Sequence, residues 1–404
     1  MRNYKNKLLM VVGAGLFQAV AIKQAKELGI EVLATDMDKN APGFRYADYT
    51  GLVSTRDIEA TAEFAKEFNK TRRIDGVLTI GTDVSQTVAG VVSALGLIGP
   101  DPETALRATN KARMRECFRE HGVPSPDFRE VVTIEEGCDA IRQLGTPVVV
   151  KPVDNMGARG VRKVEYEDDL PSALQDALRN SRVGSAIIEE YMHGPELSVD
   201  TLVYRGKVHL LTIADRHIER EPYFVETGHT VWSAIDEHTK QQVLDVMTQG
   251  IRAIGIENGA SKADMKITSD GPKIGEITAR LSGGYHSQYT DPLATGMRSI
   301  KAAIDIALGF ELDINDITPT RSYTACERAI IPHPGKVTAI RGLDEARRIP
   351  GFNHIFMHVA VGDVVQPVIS NMGKAANIIC SAPTREEAFE CAQKILDTVQ
   401  IITG

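Results

Sequence analysis

Three apolar runs open the chain, in "KLLMVVGAG", "IEVLATDMD" and "IDGVLTIGTD", and each is followed by a segment with helical spacing: "LFQAVAIKQAKELG", "IEATAEFAKEFN" and "SQTVAGVVSALG". Gly29 supplies the stop for the first helix, because a residue without Cβ accepts the left-handed conformation that ends one. Strand–helix alternation of this kind implies a parallel, doubly wound α/β unit of about 100 residues.

The rest of the chain is too long for one core. Its 404 residues exceed the roughly 250–300 of a single domain, so two to four domains or subdomains are expected. "PETALRATNKARMRECFREHGV" reads as one helix opened near Pro102. "TPVVVKPV" and "SAIIEEYM" read as strands, with a helix between them that puts Leu170, Ala173, Leu174, Ala177 and Leu178 on one face. "ELSVDTLVYRGKVHLLTIAD" is a strand pair turning at Arg205-Gly206, and "GASKADMKITSDGPKIGEITAR" is a hairpin turning at Asp270-Gly271. From about residue 320 the pattern becomes antiparallel, before a last helix that Thr384 and Glu387 open as a capping box.

Hydrophobic residues make up 43% and charged residues 25%, as in a soluble enzyme, and the net charge of -8 argues against a general nucleic-acid or membrane-surface binder. The five cysteines form no CxxC and are odd in number, which fits free thiols in a reducing, cytoplasmic compartment. The apolar run "LLMVV" is too short for a signal core, and no run of about 18 apolar residues offers a transmembrane helix.

Several segments carry chemistry. "GAG" at 13–15 with Asp36 outlines a dinucleotide fingerprint, but Phe17 and Gln18 stand where the last glycine belongs. Lys151 ends an apolar strand and precedes a loop with Gly157 and Gly160. Such a lysine needs an acid, an outlet to solvent, or phosphate oxygens cradled by the loop's N–H groups. In "IIEEYMHGPELSV" an apolar strand edge leads to Glu189, Glu190, Met192 and Glu196; the edge can stack a base and a carboxylate can accept from ribose, or the glutamates are solvated charge. Asp264 and Glu276 stand on opposite arms of the hairpin, where paired carboxylates repel unless a divalent cation joins them. Glu276, Thr278 and Arg280 share a strand face, which adds a fixed cation suited to developing negative charge.

In this order the segments resemble the ATP-grasp superfamily over nearly the whole chain. The resemblance implies an α/β architecture with α+β parts: a pre-ATP-grasp domain over 1–112, an ATP-grasp domain over 113–310 with a lid subdomain at about 130–190, and a small C-terminal domain over 311–404 similar to that of biotin carboxylase relatives. It implies Lys111 and Lys151 as phosphate lysines, Gly157 and Gly160 in a flexible phosphate loop, and Glu189 with the backbone of Glu190 and Met192 at adenine. Glu196 falls at ribose, Asp264 and Glu276 at Mg²⁺ (or Mn²⁺ in its place), and Arg280 becomes the catalytic arginine, with Lys151 beside it. Many relatives carry asparagine where this chain has Thr278. Lys151 is expected to be the rigid contact, and 154–160 a lid that takes order only over phosphates.

"REPYFVETGHTVWSA" resembles a segment of ATP-grasp amino-acid ligases, which places Tyr223 and His229 in an acceptor pocket with Arg280, Ser282, Gly283 and Gly284; an aromatic core patch with a hydrogen-bonded histidine is the other reading. The expected activity is that of a carboxylate–amine ligase, related to D-alanine–D-alanine ligase, which makes an acylphosphate from ATP and joins amino-acid-like substrates. The alternatives are a purine-pathway or biotin-carboxylase-like enzyme acting on formate or bicarbonate, and a non-catalytic ATP-binding regulator. The pattern Met-Asn-x-Arg-x-Gln-Val-Glu-His of biotin carboxylase is absent, since "LSGGYHS" follows Arg280. Expected partners are small molecules only, with a homodimer by family analogy.

Overall fold

The computed structural model describes residues 2–404. The first apolar runs become a four-stranded parallel sheet in the order Tyr49–Leu52, Glu31–Asp36, Leu8–Val12, Gly76–Leu78. Its side chains alternate between two buried faces, as a parallel sheet requires. Leu9 and Val11 pack with Ile22 of helix Leu16–Glu27 and with Ile300 and Ile304 of helix Ser299–Ala307. Leu8, Met10 and Val12 pack against Val88, Val91 and Val92 of helix Ser85–Leu95. A helix from late in the chain thus covers one face of the N-terminal sheet.

The central element is an antiparallel sheet of eight strands, ordered Gly271–Thr278, Gly259–Thr268, Glu196–Tyr204, Lys207–Glu219, Val225–Val231, Thr324–Ile330, Ala376–Ala382, Phe352–Met357. The sheet runs straight across the expected boundary at residue 310, because His229 pairs with Glu327 in register. One face is covered by helices Lys111–Glu120 and Glu237–Ile254, whose Met114, Phe118, Val243, Met247 and Ile251 meet Leu197, Val199, Ala263 and Ile277. At the far end, helix Arg385–Thr398 lays Ala388, Cys391 and Ile395 on Cys326 and Cys380, and Thr384 with Glu387 forms the expected capping box. All five cysteines are free.

A second, four-stranded antiparallel sheet is ordered Phe128–Val131, Ala186–Glu190, Val148–Pro152, Arg162–Val164. Helices Ile134–Leu144 and Leu170–Asn180 cover it through Ile141, Leu170, Leu174 and Ala177. No helix among the described residues is long and apolar enough to cross a membrane.

Three local readings change. The expected helix after Pro102 is two helices, Pro102–Arg107 and Lys111–Glu120. Asn110 breaks the run by accepting the Arg113 N–H at 3.1 Å, an N-cap that sets Lys111 at the second helix's first position. The "GAG" turn is closed on itself: Asp36 accepts the Ala14 N–H at 2.9 Å, and the Gln18 side chain folds back so that a Cβ at Gly15 would meet its Oε1 at 2.9 Å. Asp36 is therefore a brace for the turn. After Arg280 the chain makes an unforeseen π-helical turn, His286–Thr290, before helix Asp291–Thr295.

Candidate functional site

The small sheet and the hairpin Gly259–Thr278 face each other across an open cleft of about 950 Å³, lined by Lys111, Lys151, Gly157, Glu189, Glu190, Met192, Glu196, Asp264 and Glu276 among others. Lys151 points into it from the strand Val148–Pro152, with Nζ 2.5 Å from Glu189 Oε2. Arg115, fully buried, reaches the other oxygen of Glu189 at 2.9 Å. The Glu189 carboxylate is thus the counter-ion of two cations. Burial, with Arg115 and Lys111 nearby, pushes Lys151 below the usual lysine range despite Glu189. Burial acts the same way on Lys111, but Glu276, 2.9 Å away, more than offsets it and raises that group. The Glu190 N–H donates to Asp127 O at 2.9 Å, and the Met192 carbonyl accepts from Lys266 at 3.0 Å.

Protein contacts hold the glycine loop at three points, so phosphates are not its only source of order, contrary to expectation. Lys111 Nζ donates to Asn155 O at 2.8 Å, Asp83 N–H lies 3.4 Å from Met156 Sδ, and Asn371 N–H donates to Gly157 O at 3.1 Å. Gly160 stands apart from the cleft, where a Cβ would meet Asn180 at 2.9 Å.

Asp264 and Glu276 are direct register partners on adjacent strands. Burial opposes their ionisation, but Arg216 and Lys262 beside Asp264, and Lys111 beside Glu276, outweigh it and hold both carboxyls below their usual range. Two ionised carboxylates one strand apart form an oxygen donor set that fits Mg²⁺. Arg216 joins the regions of the cleft. It lies 3.0 Å from Asp264, 3.3 Å from Glu196 and 2.8 Å from Glu226. Glu196 is also paired with Lys266 at 3.1 Å.

Arg280 follows the strand Gly271–Thr278 and is held by Asp83, which accepts from its Nε at 2.9 Å and its Nη2 at 2.7 Å. The turn after it needs its glycines, because Gly283 packs so closely on Gly81 that a Cβ there would lie 3.0 Å from the Gly81 backbone, and Gly284 has φ +61. Ser282 N–H donates to Asp200 Oδ1 at 3.1 Å, and His286 sits between Asp200 and Asp291 at 2.8 and 3.1 Å. All three of these side chains are buried. His229 lies beside Glu327 at 3.4 Å and Glu226 at 3.8 Å, with Thr290 Oγ1 2.8 Å from its other ring nitrogen. A Cβ at Gly284 would lie 3.8 Å from the same Glu226 oxygen. His229 and the turn 282–284 therefore meet around Glu226. Tyr223 does not join them; its backbone bridges to Arg162 of the small sheet.

The sequence reading missed Arg115, Arg216, Asp83, Glu226, Glu327 and Asn371. Asp83 ends the third apolar run as Asp36 ends the second, which was a usable signal. Arg216 is one basic residue among several in "ADRHIER", and only strand pairing shows which acids it meets.

A model of the ATP-grasp domain matches residues 144–288, and a model of L-amino acid ligase C-terminal domain 2 matches residues 328–404. The chain carries an ATP-grasp domain followed by a C-terminal domain of the L-amino acid ligase type. An uncharacterized protein of Sinorhizobium fredii is 25% identical over 355 residues, covering 86% of this chain and 72% of its own. Alanine–anticapsin ligase of Bacillus subtilis is 25% identical over 274 residues, covering 61% of this chain, which thus spans 58% of that relative's length. The crystal structure of L-amino acid ligase from Bacillus licheniformis superposes with a TM-score of 0.86 at 23% identity, covering 100% of both chains. At that identity the likeness speaks for the fold.

Proposed function

We propose that this ATP-grasp protein activates the carboxylate of an amino-acid-like substrate with ATP and joins it to an amine. One observation carries the reading. Lys111, Lys151, Asp264 and Glu276 line one cleft together with Arg216, which lies 2.8 Å from Glu226, and behind Glu226 the buried His229 sits beside Glu327. The two lysines suit phosphates, and two carboxylates around a histidine suit the ammonium group of an amino acid.

In this scheme Lys111 and Lys151 orient the phosphates, Glu196 accepts from ribose, and the strand edge 189–192 meets the base. Asp264 and Glu276 would hold Mg²⁺, which neutralises phosphate charge when bound. A substrate carboxylate oxygen attacks the γ-phosphorus, the bond to ADP breaks, and Arg280 meets the negative charge that develops. The amine then attacks the acyl carbon, phosphate leaves with the original carboxylate oxygen, and the nitrogen releases a proton. Asp83 keeps Arg280 aimed, and Asp200 holds the turn at Ser282.

Incubation with ATP, Mg²⁺ and pools of amino acids tests the reading. Amino-acid-dependent ADP and phosphate are expected. AMP and pyrophosphate, or ADP that depends on bicarbonate or formate, would overturn it.

A further inference from the structure

The segment 366–374 belongs to the part of the chain that the sequence left without a role. It runs over the surface between the strands Val364–Val365 and Ala376–Ala382, with Ile369 and Met372 exposed. Asn371 alone turns into the cleft and lines it. Its N–H donates to Gly157 O at 3.1 Å, and its Oδ1 accepts the Glu226 N–H at 2.8 Å. Gly157 is in the glycine loop; Glu226 is the second residue of the strand Val225–Val231, which also carries His229. One residue from the C-terminal region therefore ties the two together.

The tie continues in both directions. Glu226 holds Arg216 at 2.8 Å, and Arg216 holds Asp264 at 3.0 Å. On its other side the glycine loop leans on Asp83 through Met156, and Asp83 holds Arg280 at 2.7 Å. A displaced glycine loop loses its register with both the substrate strand and the arginine.

We propose that Asn371 is a positioning residue by which the C-terminal region latches the glycine loop to the substrate strand, so that closure over a nucleotide and seating of the amino acid are one event. The proposal rests on the ligase reading for its purpose but not for its test. Asn371→Ala removes the acceptor for the Glu226 N–H; the backbone bond to Gly157 remains, without the anchor that holds residue 371 against the strand.

The test is trypsin cleavage after Arg159, inside the glycine loop, on the full chain with and without a non-hydrolysable ATP analogue and Mg²⁺. The parent protein is expected to be protected by the analogue. In Asn371→Ala, with an unchanged melting temperature, cleavage in the presence of the analogue should be about fivefold faster, the effect of losing one net hydrogen bond. Asn371→Ser, whose hydroxyl falls short of the Glu226 N–H, should act in the same direction if the alanine variant folds poorly. Met372→Ala, at the exposed neighbour, should behave as the parent. Equal protection of the parent and the Asn371 variants, or no protection of the parent, would overturn the latch. The readout needs no amino acid, so failure to find ligase products would leave this result standing.

Discussion

Lys151 Nζ stands 2.5 Å from one oxygen of Glu189 while Arg115 stands 2.9 Å from the other, so a single buried carboxylate answers two cations. Removing one partner of a buried ion pair leaves charge uncompensated, a cost of about 3–5 kcal/mol. Glu189→Gln should therefore lower unfolding stability by about that amount in urea titrations. Lys151→Met should instead weaken ATP binding and leave a lone Arg115–Glu189 pair. A Glu189→Gln protein as stable as the parent would contradict this account of the strand-end lysine.

Arg280 and Asp83 separate charge from aim. Arg280→Ala should reduce kcat by about 10²–10³-fold, the usual cost of losing one donor to developing charge. Asp83→Asn keeps the guanidinium but loosens it, and a misplacement of about 1 Å can cost about 10²-fold. ATP affinity, measured by calorimetry, should change little in Asp83→Asn, since its carboxylate faces the arginine.

Much of this arrangement was legible in the sequence. The parallel unit followed from strand–helix alternation, and the Asp264–Glu276 pairing from hairpin spacing, because both rest on local periodicity. Asp83, Arg216 and Asn371 were not legible. Their partners lie 197, between 10 and 48, and 145 or more residues away along the chain, and no local pattern marks which charge will meet which. The break at Asn110 was missed for a different reason: a capping asparagine inside a helical pattern looks like any polar residue until its side chain is seen on the Arg113 N–H.

His286 gives a pH signature. Burial works against its charged form, but Asp291 and Asp200 outweigh burial and raise it to about 10. A histidine raised above its unfolded value, about 6.5, stabilises the fold fully below that value, and loses this contribution as pH rises toward 10. Unfolding stability should fall between pH 7 and 10, and His286→Gln should flatten that slope while lowering stability near neutrality. A parent and variant with parallel pH profiles would contradict the charged triad.

The carboxylate pair predicts a binding defect that needs no turnover. Mn²⁺ binding in the presence of a non-hydrolysable ATP analogue, followed by electron paramagnetic resonance, should weaken by at least about tenfold in Glu276→Gln, since an amide replaces one of two ionised ligands. Glu226→Gln, on the substrate side, should leave the Mn²⁺ signal within about twofold of the parent and raise the KM for the amino acid instead.

The central claim is that a substrate carboxylate oxygen attacks phosphorus. An amino acid labelled with ¹⁸O in its carboxylate, once ligated by this protein with ATP and Mg²⁺, should deliver one labelled oxygen to inorganic phosphate. Label in AMP, or unlabelled phosphate alongside a formed amide bond, would contradict the account.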